Sequence, residues 1–325
     1  MTRTKLFLAG SAAALGLALI STPASAQVVC NTNAGLAGTA TGVPSVACGP
    51  GTVASGGFSV ALGRDSIASG LYSTAVGDDA QATGTDASAY GDNSRAVDFA
   101  TALGFGTRAT GIGSAAVGVD ALASGYEATA MGYYATATGT RSTALGEYAQ
   151  ALGNQSTASG SHSIAGGVGS TADGYNAQAT GAGAIAIGQN SLANGANSVA
   201  LGNGASNATF ANSIAIGNGT VNTAANQVAL GGQTAATARV VTGVAPGAVS
   251  ATSFDAVNGS QLFAANAVNA NQASQISALQ GADAVIFDQI NGLNGRVSDV
   301  DRRASAGTAV AIAMGGALFL PNKSF

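Results

Sequence analysis

The chain has 325 residues, 48 of them glycine, with 8% charged, 5% aromatic, no tryptophan, one histidine and a formal net charge of -4. That acidic balance lacks the basic surface a nucleic-acid binder needs, and His, Cys, Asp and Glu are too scarce for a conventional metal centre. Five prolines exclude collagen, and low charge with a mean hydropathy of +0.30 excludes charge-driven disorder, so the excess glycine points to a repeat protein.

Residues 1–26 read as an export signal. Arg3 and Lys5 form a positive start, Leu6 to Ile20 is apolar, and Ala24-Ser25-Ala26 offers a small-x-small cleavage site before Gln27. The segment 27–52 follows and holds both cysteines, Cys30 and Cys48. In an oxidising compartment they are expected to pair, closing a loop worth roughly 3 kcal/mol; two independent thiols are the alternative.

Residues 53–232 carry the organising pattern. Glycine recurs every seven residues at 63, 70, 77, 84 and 91, then, after a one-residue slip, from 104 to 202, with alanine two residues before each. Asp98 is read as standing for one glycine, behind Ala96. Glycine in every heptad would weaken a helix by about 1 kcal/mol each time. An alternating stretch ended by glycine reads instead as a strand and a turn. Strand alternation puts Ser, Ala and Gly on one face. The outward residues are apolar or Thr in alternate heptads (Val60/Leu62, Ile185/Ile187, Val199/Leu201) and often polar in those between (Gln81/Thr83, Arg108/Thr110). The unit is therefore fourteen residues, two unlike strands per coil. About twelve coils would stack into a column of roughly 60 Å. A roll filled by Ser, Ala and Gly has no room for Leu, so the apolar outer wall must be covered, most economically by identical copies. Thr157/Ser159 and Thr171/Asp173 interrupt that wall.

Residues 233–261 lose the beat and read as a connector. Within 262–301 a new period appears: Leu262, Ala265, Asn269, Gln272, Ile276, Leu279, Asp283, Ile286, Ile290, Leu293, Val297 and Val300 follow steps of three and four. That is a coiled-coil seam of roughly 57 Å. Asn269 and Gln272 either fix register and strand number or hold an anion between chains, and the Ile/Leu/Val mixture does not separate dimer from trimer. At Asp283 either the helices splay to admit water or Ala282 takes the seam.

These pieces together resemble the YadA-like trimeric autotransporter adhesins. Asn197-Ser198-Val199-Ala200-Leu201-Gly202 and Asn212-Ser213-Ile214-Ala215-Ile216-Gly217 resemble the head repeat. Arg239 to Ala245 and Asp255-Ala256-Val257-Asn258-Gly259-Ser260-Gln261-Leu262 resemble the neck, and Asp301 to Ala309 the entry to the membrane anchor. The resemblance implies an all-β left-handed parallel β-roll (solenoid) head, trimeric, followed by an α-helical coiled-coil stalk. It also implies an outer-membrane barrel with four strands from each chain, starting within 302–325. A spanning strand takes ~9–11 residues, so most of that barrel would lie beyond Phe325; truncation of the sequence is the expectation, and a protein that cannot anchor itself the alternative.

No catalytic, cofactor or metal constellation emerges. Ser161 and His162 adjoin at a turn, but no acid is placed to orient them, and the repeats lack the Gly-Gly-x-Gly-x-Asp pattern of calcium-binding repeats. The expected role is that of a homotrimeric surface adhesin, binding itself and host matrix or cell-surface proteins, with the outer membrane and its barrel-assembly machinery as further partners. A surface spacer or biofilm fibre without a specific receptor is the alternative.

Overall fold

The computed structural model describes residues 27–30, 38–232, 234 and 236–317. The export signal and the last eight residues therefore lie outside the described residues. The chain forms two compact units, one ending at Arg239 and one beginning at Val240.

The first unit is a parallel β-solenoid. One sheet has fifteen strands and the other thirteen, with each strand paired to those of the coils before and after it. Sheet one runs from Gln27–Cys30 through three-residue strands such as Thr143–Leu145 to Val228–Ala229; sheet two is made mostly of two-residue strands such as Gln81–Ala82. Alanine meets alanine from coil to coil, as in Ala61↔Ala75 and Ala68↔Ala82. The ladder begins earlier than the repeat reading placed it. Ser45-Val46-Ala47-Cys48 pairs in register with both Gln27–Cys30 and Ser59-Val60-Ala61-Leu62, because it carries the same alternation.

The interior contains almost nothing larger than alanine. Thirty-odd alanines, Ala61, Ala144 and Ala200 among them, are fully buried, and the bulkiest fully buried side chains are Asn207, Asn222, Thr52, Thr107 and Thr220. Several buried serines close on their own corners: the Ser73, Ser170 and Ser198 hydroxyls donate to the carbonyls of Gly70, Gly167 and Gly195 at 2.7–2.8 Å. With so little side-chain volume inside, cohesion comes from the backbone ladder between neighbouring coils, the one-dimensional regime of solenoids.

The glycine beat has two physical causes, close approach of the next coil at both corners and backbone conformation at one of them. After the sheet-one strands, Gly77 sits at φ +141, a region closed to side chains. After the sheet-two strands the glycines are buried with ordinary φ, but a Cβ on Gly139 would overlap the carbonyl of Gly153 in the next coil. Glycine thus sets the spacing at which backbones stack.

The slip and the end of the pattern are resolved at these corners. Ala100 N donates to Val97 O, as Ala87 N does to Gly84 O. So Val97, not Asp98, stands in for the glycine, and one residue is deleted from that coil. Asp98 lies in the turn itself, where its carboxylate accepts from Thr85 N at 2.8 Å. Near the C-terminal end Ser206–Ala208 bulges against Leu192/Ala193. The extra residue, Asn207, turns inward and accepts a hydrogen bond from Asn222 Nδ2.

The second unit is dominated by one helix, Gly259–Ala317, which at ~1.5 Å per residue is about 88 Å long. Residues 302–317 belong to that same helix. No helix among the described residues is long and apolar enough to cross a membrane.

A turn glycine outside the seven-residue beat gives a direct comparison. Gly169 has φ +65 with open space around its would-be Cβ, whereas Gly139 has none. Gly169→Ala should cost about 1–2 kcal/mol, the left-handed penalty. Gly139→Ala must push two coils apart and should cost clearly more, over about 3 kcal/mol. Thermal unfolding of the two variants should rank them in that order.

Candidate functional site: an exposed apolar wall and a capped helix

The sheet-one side chains that point away from the core line up along one face. Leu62, Val76, Tyr90, Leu103, Val117, Met131 and Leu145 follow one another in register. Ser159 and Asp173 come next, and Ile187, Leu201 and Ile216 resume the column. In the single chain this wall is open: Leu103 is 49% exposed, Met131 46% and Leu201 42%. Asp173 is exposed in its midst, between Ser159 and Ile187.

The two head-repeat motifs lie within this arrangement, and most of their residues build it. Ala200 and Ala215 are buried in the core. Ser198 and Ser213 are buried with their hydroxyls on the Gly195 and Phe210 carbonyls at 2.7 Å. Val199, Leu201, Ile214 and Ile216 belong to the wall, while Gly202 and Gly217 turn the corner at φ +133 and +112. Only Asn197 and Asn212 present polar groups outside, at φ +54 and +52, with Asn197 Nδ2 donating to Asn212 Oδ1 at 3.4 Å. Cys30 and Cys48 are cross-strand partners with Cα atoms 4.5 Å apart and are joined in a disulfide.

Outside the core, side chains interact at the coil interval, which sequence reading by heptads passes over. Arg141 Nε donates to Glu127 Oε2 at 2.9 Å, and Arg64 pairs with Asp78. These hydrogen bonds hold the Asp78 and Glu127 carboxyls below the usual range. Asp65, Asp78 and Asp79 form an acidic cluster on the same corner. Tyr134 stacks on Tyr148 at 5.4 Å, and the His162 ring lies 5.1 Å from Tyr148 and 5.9 Å from Tyr175. Ser161 Oγ lies 2.8 Å from His162 Nδ1. Tyr134, Tyr148 and His162 all have φ between +53 and +59, which costs roughly 1–2 kcal/mol per residue. Ring contacts return about 0.5–1.5 kcal/mol per pair, so the ladder offsets part of its own strain. The signal in the sequence was the fourteen-residue interval between these residues.

In the second unit the neck residues act on the helix start. Asn258 is the N-cap: its Oδ1 accepts from Gln261 N at 3.2 Å, while Gln261 Oε1 accepts from Asn258 N at 3.2 Å. This reciprocal capping box satisfies two backbone donors at once. The same Gln261 side chain grips Gly247, with Oε1 accepting from its N–H at 3.1 Å and Nε2 donating to its carbonyl at 2.6 Å. Asn258 Nδ2 donates to Val244 O, and Asp255 Oδ2 accepts from Ala248 N. Asp255, Asn258 and Gln261 thus fold the 244–248 segment against the helix start. Ala256, Val257, Gly259 and Ser260 are exposed around them. Along the helix the seam residues Leu262, Ile276, Leu279, Ile286, Ile290, Leu293 and Val297 are all exposed by 48–66%, and Asn269 and Gln272 are exposed with them.

An alanine-cored solenoid with one apolar face and a capped, heptad-patterned helix with an apolar seam define a fibrous repeat protein of the head-and-stalk class. The YadA head domain repeat matches in eight stretches between residues 40 and 220, and the coiled stalk of trimeric autotransporter adhesin matches residues 240–285. The chain belongs to the family of YadA-like trimeric autotransporter adhesins. It is similar to the trimeric autotransporter adhesin AtaA of Acinetobacter sp. (strain Tol 5), at 33% identity over 26% of this chain, and it spans only 3% of that relative's length. It is also similar to the crystal structure of the collagen-binding domain of Yersinia adhesin YadA, at 26% identity and a TM-score of 0.33, covering 62% of this chain and 84% of that one.

The capping box predicts unequal losses. Asn258→Ala removes the N-cap and should cost about 1 kcal/mol. Gln261→Ala also releases Gly247 and should cost more. Hydrogen exchange at the amides of residues 247–263 would report both, with protection lost over a longer segment in the glutamine variant.

Proposed function

We propose that the chain is a homotrimeric surface adhesin, with the sheet-one wall of each protomer facing the symmetry axis. The observation that carries this reading is the open apolar column from Leu62 to Ile216 on a roll whose interior holds only small residues. Such a column needs a cover, and a second and third copy supply one along its whole length. The number three comes from the family. The helix seam has the same character and is closed by the same partners. Export to the cell surface and anchoring in the outer membrane belong to this reading, as does attachment of the outward polar faces to host matrix, cells or other bacteria. Contacts repeated over many coils and three chains suit weak but multivalent binding.

A spacer or biofilm fibre without a receptor is the second reading, favoured by the lack of aromatic and the scarcity of charged side chains on the strands of sheet two. Solid-phase binding of the protein to matrix proteins separates the two. Saturable binding supports adhesion, and binding no better than that of an unrelated fibre supports the spacer.

Assembly is tested by sedimentation. The full chain should run as a trimer, and a folded monomer would overturn the axial wall. Ile187→Asp with Leu201→Asp places unpaired carboxylates in the wall, which should cost more than about 2 kcal/mol per site and dissociate the trimer. Gln178→Asp on sheet two should leave it intact, and Asp173→Leu should raise its melting temperature.

A further inference from the structure

We propose that Arg95 and Arg108 form a docking point for a sulfated polysaccharide. The two arginines occupy consecutive strands of sheet two as direct register partners, each exposed beside a buried alanine. The other solenoid arginines are engaged: Arg64 with Asp78, Arg141 with Glu127, and Arg239 with Thr220 Oγ1 and the Leu230 and Asn218 carbonyls. Among the described residues, Arg95 and Arg108 have no hydrogen-bond or ion-pair partner. Like charges directly opposed on adjacent strands repel, so this pair leaves a local demand for an anion on a chain that is acidic as a whole.

The surroundings narrow the class of anion. A carboxylate is satisfied by one guanidinium fork, whereas two adjacent forks call for a group with more acceptor oxygens, such as a sulfate ester. In register with the pair are Gln81 on one side and Leu122 on the other, with Thr83 and Thr110 beside them on the same strip and no ring among these four. Amides and hydroxyls match the hydroxyls of a sugar chain, and without rings the strip lacks a platform for nucleic-acid bases. Sheet two lies across the thin roll from the apolar wall, so self-association leaves the pair open to solvent. The inference rests on the adhesin reading and names a ligand class for it.

The test is retention of the full chain on immobilised heparin, with chemically desulfated heparin as the second surface. Heparin should bind and desulfated heparin should not. Two charge contacts imply a loss of about ten-fold in affinity between ~50 and ~200 mM salt. R95Q/R108Q should weaken binding at low salt by about ten-fold or more. Glutamine already fills this column at positions 81, 150 and 178, so the variant should fold, which circular dichroism checks. R64Q should bind as the parent does. Unchanged binding by R95Q/R108Q, equal binding to desulfated heparin, or equal competition by duplex DNA or anionic phospholipid vesicles would overturn the proposal. Sedimentation of the same samples keeps the two readings apart: an intact trimer that ignores heparin sinks only the docking point, while a heparin-binding monomer sinks only the axial wall.

Discussion

Everything in the solenoid follows from how closely its coils approach. A glycine such as Gly139 lies against the next coil's carbonyl so tightly that a methyl group does not fit. The interior is correspondingly too narrow for anything much larger than alanine. Burying alanine methyls yields little, of order 0.8 kcal/mol per carbon, and a chain built this way cannot hold itself together by a side-chain core. It relies on in-register hydrogen bonding between consecutive coils, and its larger apolar groups are left on the outside. The low aromatic content, the regular glycine and the exposed wall are three expressions of that one geometric limit.

The same limit makes the fold tolerant along its length. Because each coil contacts only its neighbours, an error in coil length is absorbed where it occurs. At Val97 one residue is missing and the strands on both sides keep their pairing, Ala82↔Ala96 and Ala96↔Ala109. At Asn207 one residue is added, and the bulge admits the largest side chain of the interior. Its amide meets Asn222 one coil on, so the widened section carries a polar pair where alanine would leave space.

Much of this was legible because strand alternation and glycine spacing are both local. The inward alanines, the outward pairs such as Val199/Leu201 and the change of period at Leu262 could be read directly from the chain. The position of the slip could not. Asp98 sits seven residues after Gly91, but the hydrogen-bond register gives the glycine's place to Val97, and register is a property of two coils rather than one. The coil-to-coil pairs, Arg141 with Glu127 and the Tyr134, Tyr148, His162 ladder, escaped for the same reason: their partners are a full coil apart, and the heptad beat halves that interval. The early start of the ladder was also hidden, since Ser45 to Cys48 ends in cysteine where most later strands carry an aliphatic side chain. In the neck, Gln261 read only as part of a motif, whereas its side chain both caps the helix and holds Gly247.

The helix meets the shortage of internal burial differently. Its seam residues are about half or more exposed in the single chain, so packing within the chain does little to fix where it begins, and propensity alone is a weak determinant. Gly259, Gly281, Gly292, Gly295 and Gly307 make it weaker still. The capping box supplies the missing definition by tying Asn258 and Gln261 to each other and to the backbone before the helix. A start fixed to the residue matters because an apolar seam has meaning only in register with its copies. In the proposed trimer, a shift of one position would turn Ile276 and Leu279 roughly 100° away from the axis. The polar neck thus specifies the phase of the apolar stripe, just as the glycine corners specify the phase of the wall in the solenoid.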